Sequence, residues 1–262
     1  MEFAATFLVI TAVQLLRYVV LPGTAFLLVT RLARSWAEPR RLQSVEFRRS
    51  DLRREAAFSL GTVVVFGAVL TVTVTPLMPP IHVYTSPGLH GWLWLLLSLP
   101  FLMLVHDAYF YWAHRLMHHR TLFGRVHRIH HLSTNPSPLA ALAFHPVEAF
   151  VETAWILPVF FLVPIHTVVL LIFGVFSMAY NVLGHLSIEI FPKSWAADPV
   201  LRWLNTSTHH YGHHQKFRGN YGLYFLFWDR LMGTEIDSRA VALDETKMFD
   251  EVMQEPAAAL PL

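Results

Sequence analysis

Five apolar runs constrain this chain more than any other feature. They lie near residues 3–30, 56–78, 91–106, 143–163 and 165–185, lengths that suit the roughly 30 Å of a bilayer's hydrocarbon core. Inside hydrocarbon each backbone N–H and C=O must be satisfied within the protein, and an isolated run does that as a helix. The expected fold is therefore all-α: an integral-membrane helical bundle of about four to five spans. Arg17 and Pro22-Gly23 interrupt the first run, so tilt or a kink is expected there. The run has no basic lead-in and no small-residue cleavage site, and reads as a first membrane segment. Pro158 and Pro164 divide the stretch 143–185 into two helices.

Arginine orients these spans. Only 15% of residues are charged, and of 20 basic residues 17 are arginine. Eight of them (31, 34, 40, 41, 48, 49, 53, 54) fall between Arg31 and Glu55 against four acids, which places that loop in the cytoplasm by the positive-inside rule. Spans two and three then form a hairpin returning near His106, where Arg115, Arg120, Arg125 and Arg128 repeat the signal. Spans four and five return near His185, and residues 186–262 follow on the same side. The arginines sit beside apolar spans rather than among exposed aromatics, so no nucleic-acid groove is expected. The chain has no cysteine, which excludes disulfides, cysteine-ligated iron–sulfur clusters and thiolate haem.

On this topology 12 of the 16 histidines face the cytoplasm or lie at span ends directed to it. They cluster. His114, His118 and His119 follow the third span; His127, His130 and His131 stand at i, i+3 and i+4; His209, His210, His213 and His214 repeat that spacing. On a helix such positions are neighbours, able to offer two rings to one metal or one ring to each of two. Buried together without a metal they would lack partners, and protonated together they would repel. No HExxH occurs, so the zinc-protease arrangement is absent. Nor do the clusters contain the Glu and Glu-x-x-His ligands of soluble di-iron bundles. A single zinc needs about four ligands, whereas eight or more histidines converge, a number suited to two metals with an open position for oxygen.

The order HDAYFYWAHRLMHH (106–119), VHRIHHLSTNPSP (126–138), AFHPVEA (143–149), NVLGHLSIE (181–189), NTSTHHYGHH (205–214) and NYGLYFLFWDRLMGT (220–234) resembles the fatty acid hydroxylase/sterol desaturase superfamily, most of all its sterol C-5 desaturase (lathosterol oxidase-like) branch. The likeness covers roughly residues 95–235. It implies membrane helices beneath a cytosolic helical cap that holds two iron ions, with O2 as co-substrate for hydroxylation or desaturation of a lipid. Carried over residue by residue, it implies ligands at His114, His119, His127, His130, His131, His185, His210, His213 and His214, with His118 and His209 as further candidates. Family first boxes vary between HxxxH and HxxxxH, so His118 and His119 compete for one role. The corresponding domains are 1–90 (membrane spans and basic loop), 91–240 (catalytic) and 241–262 (tail).

Several neighbours are expected to support the ligands. Asp107, seven residues before His114, shares its helix face and could accept a ligand's ring N–H; His106 lies on the same stripe. Asn181, His185 and Glu189 are spaced at i, i+4 and i+8, so Glu189 could orient His185. His145 and Glu148 form an i, i+3 pair within an apolar run, where an unpaired charge is costly, and are expected to pair with each other or with the site. Asp229 and Arg230 read as a structural ion pair, and His166 as a turn residue on the far side. With no GxGxxG and no cluster-binding cysteine, electrons are expected from an external donor of cytochrome b5 or ferredoxin/reductase type, docking on the basic cytosolic face. The membrane would be a bacterial inner membrane, or the endoplasmic reticulum of a eukaryote. Alternatives are hydroxylation of fatty acyl, sphingolipid or carotenoid lipids, and, in another class, a histidine-rich metal transporter or bis-histidine haem carrier.

Overall fold

Among the described residues, four helices are long and apolar enough to cross a membrane: Phe3–Leu32, Arg49–Val74, Trp92–Met117 and Thr167–Gly184. The computed structural model describes residues 3–43, 46–75, 77–78 and 80–236, and the expected tail 241–262 lies outside them. Helix α1 (Phe3–Leu27) runs on through a wider turn, Leu28–Leu32, to the short α2 (Arg34–Ala37). Then come α3 (Arg49–Val74), a two-residue strand β1 (Val83–Tyr84), and α4 (Trp92–Met117). Two single turns, α5 (Phe123–Val126) and α6 (Arg128–His131), precede α7 (Pro146–Ala154) and α8 (Ile156–Leu162). Strand β2 (Ile165–His166), α9 (Thr167–Gly184), α10 (Ser207–Lys216) and α11 (Phe227–Leu231) complete the order.

The expected span 143–163 is not one helix. It is the pair α7 and α8, broken at Trp155, because Pro158 has no N–H and its ring crowds the carbonyl four residues earlier, that of Ala154. The pair still traverses the bundle. Glu148 on α7 touches the histidines, whereas the segment after α8 pairs Ile165 with Val83 and His166 with Tyr84. That parallel pairing lies in the α3–α4 connection, separated from the histidines by the whole length of α9, about 27 Å at 1.5 Å per residue. His166 is more than a turn residue: its Nδ1 accepts from Val168 N–H at 3.1 Å, capping α9, and its Nε2 donates to the Thr85 carbonyl at 2.9 Å.

The bundle is apolar outside as well as in. Leu8, Leu16, Leu93, Leu96, Leu104 and Leu171 are exposed on the long helices, while Ser59, Thr62, Thr71, Thr73 and Ser98 are buried between them. This is the pattern of helices in lipid, where small polar residues permit close approach. At Gly67 of α3 any Cβ would collide with Thr11 of α1, so a larger residue would push these two helices apart. Arg17 is accommodated within an unbroken α1, donating to Gln14 Oε1 at 2.6 Å and to the Gly174 carbonyl of α9. Near the histidines, α1 and α3 grip the segment 133–139. Tyr18 hydroxyl and Ser59 hydroxyl donate to the Leu139 carbonyl at 3.1 and 2.8 Å, Ser137 donates to buried Glu55, and Arg54 donates to Ser133 at 3.2 Å. The loop that leaves the second histidine box is thus fixed from below.

Candidate metal centre

Nine imidazoles converge in two groups: His114, His118, His127, His131 and His213 in one, His130, His185, His210 and His214 in the other. Helical spacing sorts them. The i, i+4 pairs His114/His118 and His127/His131 both enter the first group, and His210/His214 enters the second. The remaining member of each of the last two boxes, His130 or His213, crosses to the opposite group. Each of those boxes therefore contributes to both groups. α10 reaches this depth because Gly184 lets it close on α9, where a Cβ would stand 3.1 Å from the His210 ring; Ser207 adds a hydrogen bond to the Leu183 carbonyl at 2.7 Å.

The nitrogens are too close together to be explained by protons. His131 Nε2 lies 3.1 Å from Nε2 of each of His118, His127 and His213, yet one N–H can serve only one of them. His114, His185 and His213 direct Nδ1 at the backbone carbonyls of Tyr221, Asn181 and Gly219, at 2.9, 2.8 and 2.7 Å. A carbonyl only accepts, so these Nδ1 atoms carry the hydrogen and each Nε2 turns a lone pair inward. His185 Nε2 in turn sits 3.3 Å from His130 Nε2 and 3.1 Å from His210 Nε2. Protonating the set is opposed by burial first and then by mutual repulsion, which hold His118, His127, His130, His131, His210 and His214 well below the ordinary imidazole range. Burial lowers His185 to about 4, against the Asn181 hydrogen bond. A cation is what such a set of lone pairs fits. A metal–imidazole bond of about 2.1 Å puts nitrogens on right-angled neighbouring corners about 3.0 Å apart, and the contacts here are 3.0–3.3 Å.

Outer contacts hold the rings, by a different route from the one expected. Asp107 does not touch a ligand; its Oδ1 accepts from the backbone N–H groups of Tyr224 and Phe225 at 2.7 and 3.2 Å. Glu189 does not reach His185 but accepts from Thr208 N–H and hydroxyl at 2.9 and 2.6 Å, at the start of α10. Asn181 serves through its backbone carbonyl, while its side chain donates to the Ala141 carbonyl at 2.6 Å. His145 caps α7 through Val147 N–H instead of pairing with Glu148. Glu148 is fully buried and accepts from His127 Nδ1 at 2.6 Å. His106 lies off the site, with its Nδ1 hydrogen-bonded to the Tyr224 hydroxyl. These corrections share a cause. Helical spacing identifies which residues share a face, but the acceptors arrive from other parts of the chain.

The first and third boxes each leave one histidine outside. His119 is exposed, its Nδ1 against Thr121 hydroxyl at 2.9 Å, and His209 forms a capping box with Thr206. His118, at the C-terminal cap of α4, takes the ring position instead. It is the one member of the nine that is not fully buried, and it opens onto a cleft of about 610 Å³ lined also by Trp112, Arg115, Arg218, Tyr221 and Glu235. Not foreseen in sequence was Asp229, which is no ion pair with Arg230: fully buried, it accepts from Tyr221 and Gly222 N–H at 2.9 and 2.8 Å. It thereby fixes the turn whose Gly219 and Tyr221 carbonyls hold His213 and His114. Arg230 pairs with Glu235 at 2.8 Å. A lone acid in the aromatic run that follows the last histidine box was the available signal.

An all-α membrane bundle whose polyhistidine cap can hold two metal ions defines the class of this protein. A family model described as fatty acid hydroxylase matches residues 99–234, and the chain belongs to that family. Among its relatives are mouse lathosterol oxidase, 37% identical over 148 residues (55% of this chain, 47% of that protein), and human lathosterol oxidase, 31% identical over 196 residues (72% and 62%). A delta(7)-sterol 5(6)-desaturase of Gibberella zeae is 32% identical over 176 residues (67% and 53%). The chain thus spans about half the length of the relatives it matches. No solved structure matches it.

Two outcomes follow from the geometry. His118→Ala should lower bound metal in purified protein measured by mass spectrometry, whereas His119→Ala should keep the wild-type metal content. Acid should also release metal and weaken the fold. Free histidine titrates at about 6.5 and His185 here at about 4, so between those values the unfolded chain binds more protons and stability rises with pH. Thermal unfolding and metal retention should be at full strength above about pH 6.5 and fall steadily toward pH 4; flat profiles through that window would contradict neutral, buried imidazoles.

Proposed function

We propose that this chain is a membrane-bound, O2-dependent lipid desaturase or hydroxylase with two irons in the paired histidine groups, and that its substrate is sterol-like. The observation that carries this reading is nine inward imidazole nitrogens in two adjoining groups, with no carboxylate in either. Imidazole suits iron, copper, nickel and zinc; two groups of five and four nitrogens go beyond a single tetrahedral zinc site. His114, His118, His127, His131 and His213 would hold one iron, and His130, His185, His210 and His214 the other. Bound there, iron would supply the one-electron chemistry that activates O2 against an unactivated C–H bond.

The protein's own part is placement and exclusion. Backbone carbonyls and Glu148 hold the ring tautomers that keep Nε2 available. The cleft at His118, with exposed Trp112 and Leu116 on its flank, offers a lipid an approach from the bilayer side. Which hydrogens come within reach would decide between an alkene and an alcohol. A haem reading fares worse, because nitrogens 3.0–3.3 Å apart leave no room for a porphyrin between them. The sterol assignment is supported by the named activities of the relatives. Exposed Arg120, Arg125, Arg128 and Arg218 around the cap support a cytoplasmic cap and an acidic external electron donor, of cytochrome b5 or ferredoxin/reductase type. Residues 91–240 form the catalytic part in this reading, with 1–90 as membrane support.

Purified protein should contain two non-haem irons per chain and show no Soret band. A host expressing it should accumulate a lipid with one more double bond or hydroxyl, absent with His213→Ala. Full iron and full product with His213→Ala would overturn the assignment. Orientation is separately testable, since the chain lacks cysteine. A membrane-impermeant thiol reagent should label Gly88→Cys on intact cells but His119→Cys only after permeabilisation, and the reverse pattern would invert the topology.

A further inference from the structure

Two turns before His114 on α4, a helix long and apolar enough to cross a membrane, lies a hydrogen-bonded pair that the proposed reaction does not use. Tyr224, fully buried, reaches down from the cap segment and its hydroxyl meets His106 Nδ1 at 2.8 Å. Trp155, at the α7–α8 break, stacks on the His106 ring with centroids 4.6 Å apart and planes 26° from parallel. An unbroken ring path leads from this pair to the metal nitrogens. His106 contacts Phe110 (6.2 Å), and Phe110 contacts His114 (5.1 Å), all on one face of α4. Neither Tyr224 nor His106 touches any of the nine metal-facing imidazoles.

Resting on the reading of the site as an O2-activating iron centre, we propose that Tyr224, His106 and Trp155 form a redox-active relay that delivers one electron to the O2-derived oxidant when no lipid occupies the site. The step balances within the pair. Tyr224 loses one electron, which reduces the oxidant by one equivalent, and its hydroxyl proton moves along the existing hydrogen bond to His106 Nδ1. The products are a neutral tyrosyl radical and an imidazolium. Proton transfer avoids a tyrosine radical cation, a far stronger acid than an imidazolium, and leaves the positive charge on the more basic ring. The imidazolium would form against the face of Trp155, where a ring quadrupole stabilises a cation. Burial pushes the Tyr224 phenol up from its ordinary value, so the proton is in place at rest. Nearby Tyr180 offers a contrast: its hydroxyl donates to the backbone carbonyls of Asn205 and Tyr224, at 2.8 and 3.1 Å, and neither is a base that can take its proton.

The test is rapid freeze-quench electron paramagnetic resonance of ferrous-loaded protein in detergent, mixed with O2 without lipid. An organic radical should form whose hyperfine pattern narrows when ring-deuterated tyrosine is incorporated into the wild-type chain. Tyr224→Phe should lose that signal and Tyr180→Phe should keep it. His106→Gln, which preserves a hydrogen-bond partner but removes the base, should lose it too; a merely structural contact would survive that change. Protein that binds iron and consumes O2 yet gives no tyrosine-derived signal, or keeps it in Tyr224→Phe, overturns the relay alone. Protein that takes up no iron or does not react with O2 overturns the metal-centre reading and the relay with it.

Discussion

The structure depends on holding imidazole lone pairs against one another in a buried place. His131 Nε2 has three other ring nitrogens at 3.1 Å, an arrangement that neither neutral nor protonated histidines would choose on their own. Neutral rings run out of hydrogens, and charged rings repel in a medium that screens poorly. The scaffold must supply the order that the ligands themselves oppose when no cation is bound. That accounts for how much of the cap is spent on contacts one step outside the rings.

Those contacts come chiefly from backbone. The turn at Gly219–Gly222 gives carbonyls to His213 and His114, and the turn is held by Asp229; the next strip of chain, Tyr224–Phe225, is held by Asp107 from α4. Two buried acids that could have been metal ligands are instead committed to backbone N–H groups. Such bonds satisfy the acids without placing them beside the imidazole groups. Among the described acids it is Glu148 that meets one of the nine imidazoles directly, and α7 carries it there because the Pro158 break lets α7 pack its acidic face inward while α8 continues toward the far side.

The histidine boxes and the helices were legible in sequence because both rest on local rules. Apolar length gave four of the helical spans, and i, i+4 spacing brought His114 and His118, His127 and His131, and His210 and His214 to common faces. What was not legible depends on contacts between distant segments. His118 and His119 differ by one residue at a helix end, and only the termination of α4 at Met117 decides which ring turns inward. Glu189 lies on the expected stripe with His185, yet the helix stops at Gly184, so the i+4 rule no longer applies beyond it. Asp107 shares a face with His114, but the final aromatic segment, more than a hundred residues later, reaches it first. Asp229 beside Arg230 looks like an ion pair by proximity; its actual partners are N–H groups seven and eight residues earlier.

The same final segment links the cap to the membrane interior. Residues 219–222 hold two rings of the first metal group, while two residues further on Tyr224 descends to His106 among the spans. Asp107 and His106 are adjacent on α4, so the acid that fixes the Tyr224 backbone and the ring that meets its hydroxyl act from a single helical turn. A shift of this segment would alter the His114 and His213 rings and the buried tyrosine together. The cap is therefore better understood as one wall shared by the buried imidazole groups and the aromatic cluster among the long helices than as a lid set upon a bundle. Its position is determined by backbone hydrogen bonds to buried acids, which tolerate little displacement in a medium without water to replace them.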